Sequence, residues 1–80
     1  MATTHRPLSD LQPLAQSALA EGPIFDLRDL TVEQGDEVLV LRGSVASFYH
    51  KQMAQELVRN VVGREVDVVN SITVLPAVRR

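Results

Sequence analysis

Apolar and polar positions alternate along this chain first with a helical and then with an extended rhythm. Leu11, Leu14, Ala15, Ala18 and Leu19 recur at the i, i+3, i+4, i+7 spacing of one helical face. Ser9 and Gln12 have the Ser-x-x-Gln spacing of a capping box, with Pro13 directly behind. A proline there clashes with the carbonyl of Ser9, which predicts a regular helix with Pro13 as its first residue. Glu21-Gly22-Pro23 then stops it, through a C-cap glycine and a residue that cannot continue a helix.

From Ile24 to Glu33 the pattern reads as extended, with Leu30 and Val32 alternating against Asp29, Thr31 and Glu33. Phe25 and Leu27 have the opposite parity, which predicts a bulge near Arg28. Gln34-Gly35-Asp36-Glu37 supplies a turn in which glycine takes a positive φ. Val38 to Val45 is the second strand of the resulting hairpin. Leu39, Leu41, Gly43 and Val45 share one face of it; Val38, Val40, Arg42 and Ser44 share the other.

Ser47 suits the N-cap of a second helix running from about Phe48 to Val62 and closed by Gly63. Its apolar stripe is His50 or Met53, then Ala54, Leu57, Val58 and Val61, opposite Lys51, Gln52, Gln55, Glu56, Arg59 and Asn60. Val66 to Val74 alternates with period two, with Val66, Val68, Asn70, Ile72 and Val74 on one face. Pro76 ends that strand, and Ala77 to Arg80 forms a basic tail. The order α-β-β-α-β predicts an α+β fold: a two-layer sandwich with both helices on one face of a three-stranded mixed sheet. The second and third strands, linked by a helix, should run parallel in a right-handed crossover. Strand order stays open.

Composition narrows the function. Eighty residues allow one domain with a thin core, too small for a deep catalytic cleft. Hydrophobic content of 45% with 22% charged residues is that of a globular chain, and the absence of cysteine removes disulfides, thiolate nucleophiles and thiolate metal sites. A net charge of −2 argues against a nucleic-acid surface, and the Gly-x-x-Gly clamp of a KH-type fold is missing. No secretory leader and no membrane span can be read, so the sequence as written is expected to be cytoplasmic, with peripheral membrane contact left open.

Catalytic and metal chemistry find no support. His5 lies in the N-terminal lead and His50 in the first turn of the second helix, and neither has a nucleophile or orienting partner that the sequence can name. Asp26, Asp29, Glu33, Asp36 and Glu37 lack the spacing of a calcium loop and read as a solvated acidic edge. No phosphate-cradling glycine loop is present. The expectation is a non-enzyme without cofactor or metal.

At Val40-Leu41-Arg42-Gly43-Ser44-Val45-Ala46-Ser47, Lys51-Gln52-Met53-Ala54-Gln55-Glu56-Leu57 and Val68-Val69-Asn70-Ser71-Ile72-Thr73-Val74 the chain resembles the BON domain, named for bacterial osmotically inducible and nodulation proteins. The likeness divides the chain into a flexible lead at 1–11, a BON-like domain at 12–75 and a tail at 76–80. It implies a non-catalytic module of bacterial, stress-related proteins that attaches to phospholipid surfaces or envelope components.

Two sets of residues then stand out. Gly43, Asn70, Ala54 and Leu57 read as structural: Gly43 permits close approach, and Asn70 faces inward to bond backbone near the end of the second helix. Phe48, Tyr49, Val40, Val69, Arg42 and Lys51, with Phe25, read as a candidate interface. Anionic phospholipid is one expected partner, met by the aromatics with Arg42, Lys51, Arg79 and Arg80. A protein partner is the alternative, including homo-oligomerisation through the open sheet face or the last strand, where Val69, Ser71, Thr73 and Leu75 point outward.

Overall fold

The computed structural model describes residues 8–75. Helix α1 spans Leu8–Ala20 and carries Pro13 inside it. It therefore begins ahead of the expected start, and Leu8–Leu11, read from sequence as part of the lead, form its first turn. The physical reason is packing. Leu11 is buried and Leu8 rests on the core, while Ser9 and Pro13 both lie on the exposed face, where water can take the carbonyl that proline leaves unbonded.

The segment after α1 is turned, not extended. Phe25–Leu27 form a single 3-10 turn, closed by Leu27 N–H to Ile24 O at 3.1 Å and Arg28 N–H to Phe25 O at 3.1 Å. Leu30 N–H then bonds Leu27 O at 3.2 Å. The parity change between Leu27 and Leu30 is thus resolved by a turn that buries both leucines and leaves Phe25 outside, instead of by a bulge. Only Thr31–Gln34 is strand β1.

Strand β2, Val38–Arg42, pairs antiparallel with β1, with Val32 opposite Leu41 and Gln34 opposite Leu39. Gly35 N–H donates to Val38 O at 2.8 Å to close the hairpin, and the positive φ falls on Glu37 (64°) instead of on Gly35. Glycine is there for room, because a Cβ at that position would stand 3.0 Å from Val38 Cγ2.

The long second strand expected from sequence is broken at Gly43, whose φ is +125°, and resumes as β3, Ser44–Val45. The last strand is broken at the matching place, into β4, Asp67–Asn70, and β5, Thr73–Val74. The two breaks leave the register intact. Val38 faces Asp67 and Ser44 faces Thr73, so the partner lies 29 residues further along the chain on both sides. Ser71 N–H to Leu41 O and Thr73 N–H to Gly43 O, both 2.9 Å, carry the ladder across the gap. The main sheet has the order β1-β2-β4, with β2 and β4 parallel as the crossover requires.

Helix α2 is Phe48–Val62, capped by Ser47 and ended by Gly63 at φ 85°. Its buried positions are Ala54, Val58 and Val62; Met53 and Leu57 are half-buried and Val61 is exposed. The apolar stripe is therefore turned toward Val62, which the spacing had left out. Both helices cover the face of the sheet that carries Val32, Leu39, Leu41 and Val45, and Leu27, Leu30, Val66 and Ile72 complete one core.

Candidate functional site

The structural residues first. A Cβ on Gly43 would meet Leu30 Cδ2 at 2.7 Å, and its φ is one that side chains rarely adopt, so the glycine is required twice over. Ala54 is fully buried under the sheet face; Leu57 is not central, being half-buried over the end of α1. Asn70 faces inward as its parity demands, but it reaches the start of α2 and not its end. Its Nδ2 donates to Lys51 O at 2.9 Å and Gln55 Oε1 at 3.2 Å, while its Oδ1 accepts from Ile72 N–H at 3.2 Å. One amide thus ties α2 to the break between β4 and β5.

The candidate interface residues separate into two surfaces. Phe48 and Tyr49, in the first turn of α2, are 74% and 64% exposed. The Phe25 turn packs beside this helix end: His50 Nε2 lies 3.5 Å from Asp26 Oδ2, and the Arg28 guanidinium stands 4.5 Å over the Phe25 ring. The Tyr49 and His50 rings meet edge to face at 5.5 Å. Lys51, half-buried, follows in the same helical turn. Phe48 and Tyr49 form an aromatic tip, with His50 and Lys51 next in the helix, and the Phe25 turn carrying Asp26 and Arg28 meets it through the Asp26–His50 contact.

Val40 and Val69 lie directly opposite one another on the face of the sheet that no helix among the described residues covers. They do not join the aromatic tip, which belongs to the helical layer. Arg42 shares their face and is held by Glu33 at 2.7 Å across the hairpin, which removes it from the cations grouped with Phe48 and Tyr49. Arg79 and Arg80 lie outside the described residues.

The structure also lines up a serine, a histidine and a carboxylate that the sequence could not connect. Ser47 Oγ and His50 Nδ1 are 2.9 Å apart, and Asp26 stands on the far side of the same ring. The resemblance to a hydrolase relay is local. Ser47 Oγ already accepts from His50 N–H at 3.1 Å as the helix cap, so the hydroxyl and ring are both engaged in closing the first turn. Among the described residues no group of three or more His, Asp or Glu could hold a metal ion.

Sequence reasoning missed one further arrangement. Gln12 Nε2 donates to Val32 O at 2.6 Å, and Gln16 both donates to Leu30 O at 2.7 Å and accepts from Val32 N–H at 2.9 Å. These glutamines stand one helical turn apart beside the apolar stripe of α1, where a polar residue reads as solvent-facing. Their spacing was the only available signal.

Across residues 9–76 the chain matches the BON domain family, nearly the whole of its length. The chain belongs to the BON domain family. No curated protein matches it. The BON domain is a family of binding modules, and the helix-backed sheet described above is the fold that the resemblance implied. Among the described residues of this BON domain no helix is long and apolar enough to cross a membrane.

Proposed function

We propose that this BON domain is a non-catalytic module that docks on an anionic phospholipid surface through its aromatic tip. The observation that supports this most directly is the pair Phe48 and Tyr49, consecutive in sequence and 74% and 64% exposed. Two large aromatic side chains left in water by a thin-cored domain gain most from a partner, and amphipathic rings suit the headgroup region of a bilayer. Lys51 follows the two aromatics in the same helical turn and Arg28 lies on the neighbouring Phe25 turn, and a basic side chain near an anionic leaflet contributes about 1 kcal/mol. No acidic residue occupies the first turn of α2 to oppose them.

Co-flotation with neutral and anionic vesicles, at low and physiological salt, tests the reading. Flotation with anionic vesicles that weakens in salt is expected, and the double variant Phe48→Ala, Tyr49→Ala should lose it while keeping its fold. Failure to float under every condition sinks the lipid reading. A protein partner on the open sheet face is the second reading, favoured by the adjacency of Val40 and Val69, the latter 44% exposed.

A further inference from the structure

We infer that the outer edge of β4 and β5 pairs antiparallel with the same edge of a second copy of this chain. The inference is independent of the lipid reading and uses a different surface. Ser71, Thr73 and Leu75 turn their N–H groups inward, to Leu41, Gly43 and Val45. The intervening Val68, Asn70, Ile72 and Val74 therefore turn theirs outward. Of these, Ile72 N–H is taken by Asn70 Oδ1. Among the described residues no strand pairs with this edge.

Past Asp67, the charged first residue of β4, the edge lacks the charge and proline that keep strands apart. Val68 to Leu75 contains no charged residue and no proline, and most of its residues are β-branched. A two-fold axis through Ser71 brings Val68 against Val74 of the second copy, Val69 against Thr73 and Asn70 against Ile72. These are β-branched and polar cross-strand pairs with no like charges opposed, and in the Asn70–Ile72 pair the Ile72 N–H, held by Asn70 Oδ1, does not donate across the axis. The same stretch is thus complementary to itself, which is the requirement of an isologous interface.

The opposite edge explains why the assembly closes. On β1 both outward groups of Val32 are occupied by Gln12 and Gln16, and Glu33 adds a charge. The β4–β5 edge is therefore the more open of the two, and an isologous pairing covers it on both copies. The apolar open faces carrying Val40 and Val69 become continuous across the axis.

The test reads mass by light scattering at rising protein concentration. The chain of 8.8 kDa should double in mass. Ser71 is exposed and bonds Leu41 O through its backbone N–H, which substitution retains, so Ser71→Lys and Ser71→Glu each place like charges against themselves on the axis, and each should remain single. Mixing the two variants should restore the doubled mass, because Lys then faces Glu. A wild-type chain that stays single to millimolar concentration overturns the inference, as does a Ser71→Lys variant that still doubles. The Phe48→Ala, Tyr49→Ala variant should double as the wild type does, which keeps this outcome separate from flotation.

Discussion

The two edges of this small sheet meet the same problem and solve it differently. At β1 both outward groups of Val32, and Leu30 O just ahead of the strand, are bonded by side chains from another layer, Gln12 and Gln16 of α1. At β4 the strand's own amide, Asn70, turns inward to α2 and satisfies one outward donor, that of Ile72. One edge is sealed at its centre from within the fold and the other is left more open. The difference shows that edge protection need not come from charge or proline. Two long amides on a neighbouring helix can do it, and they do it without changing the strand's own sequence.

The largest change should come from the strand both edges share. Leu41 on β2 is fully buried, and Leu41→Ala should cost about 2–5 kcal/mol through lost transfer energy and a residual cavity. Thermal unfolding followed by circular dichroism should show a midpoint lowered by many degrees, and a small shift would mean that the core can collapse around the site. Next comes the sealed edge. Gln16→Ala removes both a donor and an acceptor and leaves half-buried backbone groups unpaired, at about 1–3 kcal/mol. Urea unfolding reads the loss, and hydrogen exchange should show the Val32 amide opening faster. If that amide stays protected, Gln16 is not what closes the edge. The smallest of the three is Asn70→Ala, toward about 1 kcal/mol, since its surroundings are partly open to water. An unchanged thermal midpoint would show that Asn70 does not hold α2 against the strand break.

Much of this was legible from side-chain pattern alone, and the exceptions have physical causes. Helix α2 could be bounded from Ser47 and Gly63 because capping depends on local chemistry. The inward parity of Leu39, Leu41, Asn70 and Ile72 could be read because strand alternation leaves no other choice. Pro13 misled, since a local steric rule was outweighed by burial of Leu11 in the turn before it. The stretch from Ile24 to Leu30 misled as well: a parity change is equally the mark of a bulge and of a 3-10 turn. That error hid Asp26 from His50, and with it the relation between the Phe25 turn and the aromatic tip. The split of the interface residues into two surfaces followed from which layer each element joined, and no spacing along the chain encodes that. The glutamine contacts were invisible for the same reason.

The equal offset of 29 residues between β2 and β4 and between β3 and β5 also has a consequence for the order in which the fold is built. The β1–β2 hairpin and its α1 clamp join residues no more than 20 apart. The parallel ladder cannot close until all of α2 has been spanned, and loop closure of that kind is slow relative to local pairing. As the chain leaves the ribosome, N-terminal end first, α1, β1 and β2 can assemble while β4 does not yet exist. During that interval β2, the central strand of the finished domain, is itself an edge.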